Sequence, residues 1–265
     1  MLDSGSGEGF KGARLNGSEA VMSVFDGRPG ITVRTPLQTV VVSLCGGIIC
    51  QWNVGGIPFS SSASGMQYGG LLRDRFLVPF TKHAVSDADY TLDEVTTTSD
   101  SFLITLRYQF AAKGISLRKR IEVPLKKAEI RTEWRISNIG REVCDISFWS
   151  HNFPAPGNPA DPLHQLEFRL GKTAIELQPA EQVFICRNNV PVKFKNVIGR
   201  TDSGEVAVRN MKTGHRMKFS IPAEQANQFY FWRGANVTVE SMTIPVKLQP
   251  GQVYRTSALW KAYIN

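Results

Sequence analysis

Two residues far apart in this chain have side chains suited to moving protons, His151 and Glu240. His151 sits in Ser-Phe-Trp-Ser-His-Asn-Phe-Pro, at the end of an apolar strand and the mouth of a Pro-rich stretch. An imidazole titrates near neutrality, so at a strand end facing a cleft it can donate a proton. It can equally be a hydrogen-bonded structural residue. Glu240 closes the β-branched run Val237-Thr238-Val239. A lone carboxylate there is either a solvent-face residue or a base with a raised pKa. Arg73 and Arg75, in Gly-Gly-Leu-Leu-Arg-Asp-Arg-Phe, carry forked guanidinium groups that suit a carboxylate or phosphate. They can equally pair with Asp74 or a neighbouring strand. Trp149 and Trp232 complete the candidate set, since aromatic faces stack on sugar rings, although most aromatics in a β-sandwich are core.

Other chemistries find less support. His164 follows Asp161 by three residues and could join His151 in a metal site. Loop histidines are usually solvated, and no metal is expected. His83 and His215 read as surface residues. The sequence has no GxGxxG ahead of a helix, no Walker loop, no GxSxG elbow and no HExxH. No cofactor is expected. Cys45, Cys50, Cys144 and Cys186 form no C-x-x-C pair, and a disulfide between Cys45 and Cys50 and buried free thiols are both open.

These residues must be positioned by strands. Apolar and polar residues alternate through Tyr90–Thr97, Ser101–Phe110, Ile115–Val123, Ala128–Ser137 and Cys144–Trp149, with Gly, Asn and Pro turns between them. Ile130, Thr132, Trp134 and Ile136 share one face, and Arg131, Glu133 and Arg135 the other. Earlier runs at 21–25, 31–34, 39–44 and 48–54 are broken by Gly46-Gly47 and Gly55-Gly56. Further strands are expected at 166–170, 173–177, 182–186, 206–210, 217–221, 228–232, 237–245 and 253–262. The stretch His151–Pro162 is too rich in proline for a central strand and reads as a functional loop. Many short strands without βαβ signals predict an all-β antiparallel two-sheet sandwich. Residues 1–19 read as a flexible leader and 20–265 as a single β-sandwich domain.

With 42% hydrophobic and 20% charged residues the composition is globular. The formal net charge of +8 permits an anionic partner or a basic solvating surface. The densest basic run, Arg118-Lys119-Arg120, cannot point to one face of a strand, and no nucleic-acid motif accompanies it. No nucleic-acid partner is expected. No membrane partner is expected either: no apolar run is long enough for a transmembrane helix, and the Gly/Ser-rich start is not a signal peptide. A soluble protein is expected, with compartment and oligomeric state open.

The order of several short elements resembles the galactose mutarotase-like (aldose 1-epimerase) superfamily. They are Gly46-Gly47-Ile48-Ile49-Cys50-Gln51-Trp52-Asn53-Val54-Gly55-Gly56, Tyr68-Gly69-Gly70-Leu71-Leu72-Arg73-Asp74-Arg75-Phe76, the strand ending at Asn138, His151-Asn152-Phe153, Val237–Glu240 and Leu248-Gln249-Pro250-Gly251-Gln252. The resemblance implies a large antiparallel supersandwich and a carbohydrate partner, which the basic balance would suit to an acidic or phosphorylated sugar. It also implies His151 as proton donor and Glu240 as base, with Arg73, Arg75, Asn152, Trp149 and Trp232 around the substrate. Where epimerases carry a further histidine, residues 65–76 offer Arg73, Asp74 and Arg75. A non-catalytic carbohydrate-binding or structural module therefore stays open beside an isomerase.

Overall fold

A strand with one apolar face must cover it, and here that requirement builds three antiparallel sheets around a shared core. The computed structural model describes residues 10–61, 69–78, 88–176, 181–188, 196–233 and 236–265. The strands begin with β1 (Gly12–Leu15), β2 (Ser18–Phe25), β3 (Arg28–Arg34), β4 (Gln38–Ser43), β5 (Ile49–Val54), β6 (Ile57–Pro58) and β7 (Arg73–Val78). Next come β8 (Thr91–Thr97), β9 (Ser101–Phe110), β10 (Ile115–Pro124), β11 (Glu129–Asn138), β12 (Cys144–Asn152), β13 (Leu166–Leu170), β14 (Thr173–Ile175) and β15 (Gln182–Arg187). The last are β16 (Val197–Thr201), β17 (Glu205–Asn210), β18 (Arg216–Ser220), β19 (Ala226–Arg233), β20 (Val237–Thr243), β21 (Val246–Leu248) and β22 (Val253–Tyr263).

β1 to β6 form a six-stranded meander in chain order. A nine-stranded sheet runs β14-β13-β17-β18-β22-β11-β10-β9-β8. A seven-stranded path runs β16-β15-β19-β20-β12-β21 with β7 on the flank of β12. Pairing is antiparallel except between β15 and β16.

The apolar faces meet in one cluster drawn from all three sheets. Trp52, Trp134 and Trp260 are among the largest side chains in it and are wholly buried. Each large apolar side chain removed from water contributes about 1.5–3 kcal/mol. Gln38 links the meander to the nine-stranded sheet. Its Nε2 donates to the carbonyls of Pro124 and Lys127, both at 2.9 Å, while Trp52 Nε1 donates to its Oε1 at 2.8 Å.

In β11, residues 130, 132, 134 and 136 are buried and 131, 133 and 135 exposed, as alternation predicts. In β9 the alternation is interrupted, because Leu103 and Thr105 on the polar face are buried too. The leader reading needs correction, since Phe10 is buried and residues 12–15 pair with 18–21 as a hairpin. Residues 1–9 lie outside the described residues. The Pro-rich segment does not start at His151, because β12 runs on through Asn152. Cys45 and Cys50 are both buried and are not joined in a disulfide. Among the described residues no helix is long and apolar enough to cross a membrane.

Candidate functional site

β7, β12 and β20 lie side by side, and their register settles which side chains share a face. His151 stands directly opposite Glu240 on one side and Arg73 on the other. One alternation back along β12, Trp149 stands opposite Met242 and Arg75. On the next strand Tyr230 stands opposite Glu240, and Trp232 opposite Thr238. All these residues project from the face turned away from the nine-stranded sheet.

The intervening residues turn the other way and anchor the site. Asp74, between the two arginines, reaches across the core. Its carboxylate accepts from Lys119 Nζ at 2.9 Å, Trp134 Nε1 at 2.8 Å and Tyr90 OH at 2.8 Å. The same ammonium donates to the Leu72 carbonyl. Burial raises the Asp74 carboxyl and lowers the Lys119 ammonium, and their mutual attraction works against both shifts. Arg118 and Arg120 point to solvent while Lys119 is wholly buried, which is how the basic run divides between faces.

Asn152 is a correction to the candidate set. It is fully buried on the core-facing side. Its Oδ1 accepts from the Leu72 amide at 2.8 Å and Trp260 Nε1 at 3.2 Å, and its Nδ2 donates to the Val239 carbonyl at 3.1 Å. Its polar atoms are engaged in joining β7, β12, β20 and β22, and none turns to the His151 face.

On that face, Glu240 Oε1 is 2.8 Å from His151 Nε2. The carboxylate stands off the ring N–H axis, so the contact is close without being a well-directed hydrogen bond. Thr238 Oγ1 donates to the same oxygen at 2.8 Å. Burial, the largest effect on His151, lowers its pKa. Glu240 works against that, and the Arg75 and Arg73 guanidinium groups reinforce it. His151 is 6% and Glu240 2% exposed, so an ionic contact here is little screened by water.

Five buried polar atoms on this face have no hydrogen-bond partner among the described residues: His151 Nδ1 and Nε2, Glu240 Oε2, Trp149 Nε1 and Arg75 Nε. Each such atom costs about 1–3 kcal/mol if left dry. Their concentration beside one histidine–glutamate pair is what a polar ligand would relieve. Aromatic rings border them. His151 lies 6.2 Å from Trp149 at an interplanar angle of 23° and 4.6 Å from Phe153. The Arg75 guanidinium sits 5.1 Å over the Trp149 ring. Arg73 is buried, with Nη1 donating to the Gly69 carbonyl at 3.3 Å.

Tyr230 was not among the candidates, though alternation from Trp232 along β19 points to it. It donates to Gln182 Oε1 at 3.1 Å, and burial followed by the Glu240 charge pushes its phenol up to about 12. Thr238 was missed because nothing local marks it. His164 is exposed, 3.8 Å from Asp161, and no group of three metal-ligating side chains exists among the described residues. His215 lies against Phe59 with its ring tilted at 48°, and its Nδ1 accepts from the Asn265 amide. His83 lies outside the described residues.

No family profile matches this sequence, and no curated protein does. Solved structures do match. A galactose mutarotase-like protein from Clostridium acetobutylicum superposes with a TM-score of 0.65 at 10% identity, over 93% of this chain and 98% of that one. A galactose mutarotase-like protein from Lactobacillus casei gives 0.63 at 10% identity, over 88% of this chain and 100% of that one. A galactose mutarotase related enzyme from Lactobacillus acidophilus gives 0.60 at 13% identity, over 88% and 97%. The likeness is one of fold: the chain is an all-β sandwich of galactose mutarotase-like architecture, divergent in sequence from all three.

Proposed function

We propose that this protein acts on a sugar hemiacetal at the outer face of β7, β12 and β20, as an aldose 1-epimerase-like isomerase. The observation that carries the reading is the register pairing of His151 with Glu240, where buried polar atoms of these two residues, Trp149 and Arg75 have no hydrogen-bond partner among the described residues. In the proposed reaction Glu240 accepts the proton of the anomeric hydroxyl while His151 gives a proton to the ring oxygen. The C1–O bond of the ring breaks, leaving an open-chain aldehyde. Rotation about the C1–C2 bond presents the other carbonyl face. Reclosure returns the proton to the anomeric oxygen and regenerates protonated His151, so atoms and charge balance over the cycle. A substrate bound between the two groups would replace their direct contact.

Arg73 and Arg75 favour a sugar carrying an anionic group, phosphate or carboxylate, since guanidinium forks match both. Trp149 and Trp232 supply apolar ring faces on the same side of the sheet. The alternative is a non-catalytic carbohydrate-binding module. It is favoured by Arg73 standing across β12 from Glu240, where a second proton carrier would otherwise flank His151.

The test is proton exchange spectroscopy on the anomers of glucose 6-phosphate, glucose and galacturonate. The wild-type protein should accelerate anomer exchange, with the anionic sugars preferred. His151→Ala and Glu240→Gln should each abolish the acceleration. Exchange that both variants leave unchanged overturns the catalytic assignment. Sugar binding without any acceleration supports the binding module instead.

A further inference from the structure

The outer face of the nine-stranded sheet carries a feature that the proposed sugar site does not use. Arg107, Arg118, Arg135 and Arg255 stand directly opposite one another on β9, β10, β11 and β22. Like charges paired across strands are destabilising, and here three such pairings follow in one row. The row spans three strand spacings, about 14 Å. Its neutralisation is one-sided. Asp93 lies 3.2 Å from Arg107 and 3.6 Å from Arg118, and Glu94 lies 3.2 Å from Arg118. Arg135 and Arg255 have no ion pair among the described residues. Three of the four, Arg118, Arg135 and Arg255, line a groove of about 560 Å³ together with Arg120, Gln225 and Ser257. That volume lies within the range of small-ligand sites, about 300–1,000 Å³.

We infer that this groove binds an acidic glycan, a short chain of sugars bearing carboxylates or sulfates. Charge complementarity requires the partner to be anionic. Four guanidinium groups line the groove against the two carboxylates of Glu94 and Glu133, and Thr96, Thr105, Ser257 and Gln225 between them supply hydroxyls and an amide that suit sugar hydroxyls. The one aromatic residue bordering the groove, Trp134, is 2% exposed and directs its indole N–H into the core, so it offers no platform for stacking bases. The groove crosses the sheet face, where every central strand already has two neighbours. An acidic peptide would find no free strand edge there and no broad apolar floor. Single-stranded nucleic acid and acidic peptide therefore fit less well than a glycan.

The experiment uses a fluorescently labelled galacturonate oligosaccharide, with labelled oligothymidylate and polyglutamate as competing probes. Binding is read by anisotropy over a range of salt concentrations. The galacturonate chain should bind at low ionic strength and weaken as salt is raised. Arg135→Gln combined with Arg255→Gln should weaken it by about threefold to thirtyfold, the expectation for two exposed charge contacts. Both side chains are exposed and their removal relieves like-charge pairing, so thermal unfolding should be unchanged or slightly raised and weaker binding cannot come from a loss of fold. Arg14→Gln combined with Arg34→Gln removes the same charge from the six-stranded sheet and should leave binding intact. An equal loss in that control overturns the inference, because charge alone would then explain the binding. So does a failure to bind at low salt, or tighter binding of oligothymidylate or polyglutamate.

Discussion

Replacing Lys119 by methionine should destabilise this protein severely, through the partner it leaves behind. Both side chains of the Asp74–Lys119 pair are wholly buried. Removing one member of a buried ion pair costs about 3–5 kcal/mol, because the surviving charge has no compensation. Asp74 would keep the Trp134 and Tyr90 donors, which places the expected loss towards 3 kcal/mol. For a chain of this length that lowers the unfolding temperature by about 6–12 °C. The loss should also depend on pH. Burial raises the Asp74 carboxyl even with the ammonium present, and without it the rise is larger. A carboxyl whose folded pKa is raised gains stability when protonated and loses it as pH climbs from the ordinary carboxylate range through the folded pKa. Lys119→Met should therefore be least harmful at about pH 4.5 and most harmful at about pH 7. Adding Asp74→Asn should recover at least half of the loss at neutral pH. The amide oxygen can still accept from Trp134 Nε1, and the Tyr90 hydroxyl, which faces the other carboxylate oxygen, can turn to accept from the amide NH₂. Urea unfolding of the two single variants and the double variant, at both pH values, provides the measurement. A Lys119→Met loss below about 1 kcal/mol, or one independent of pH, would refute the uncompensated-charge argument.

Three further outcomes are expected. Asn152→Ala should cost about 2–4 kcal/mol in urea unfolding, since it orphans the Leu72 amide and the Trp260 indole N–H together. If anomer exchange is catalysed, its kcat/KM should decline as pH rises through a pKa below the ordinary histidine value, because burial lowers His151 and the donor must be protonated. A flat profile across that range would remove His151 as donor. Cys50, whose thiol burial pushes up to about 12, should resist a disulfide reagent in the native protein and react once urea unfolds it. Mass spectrometry of the labelled chain reads this directly.

The fold was legible wherever alternation was strong. The β10–β11 pair follows from Ile115 to Ile136 because each strand has a buried row and a more exposed row, and β9 follows from its apolar row Phe102, Ile104 and Leu106 although its other face is partly buried. The elements that escaped lack such rows. β1 (GARL) has little β-branched character, β6 and β21 are two and three residues long, and β16 joins its neighbour in parallel through Gly199 and Arg200. The adjacency of His151 and Glu240 was not visible in any local pattern, since 89 residues separate them; only the resemblance suggested it. Asn152 was misread for a local reason. Treating His151 as the start of a loop hid the pleat that sends two neighbouring side chains to opposite faces. The same pleat, applied to Trp232, would have found Tyr230.

The tripeptide Arg73-Asp74-Arg75 has a practical consequence for anyone wishing to redesign this protein. Its odd-numbered positions face the proposed ligand and its middle position holds the two sheets together. Recognition and stability are thus interleaved residue by residue along one strand. A one-residue insertion or deletion inside β7 would exchange them, driving guanidinium groups into the core and the anchor out of it. Point substitutions escape that penalty. A library varying Arg73, Arg75, Trp149 and Trp232 while holding Asp74, Phe76, Phe148 and Asn152 constant would explore new ligands on an undisturbed scaffold.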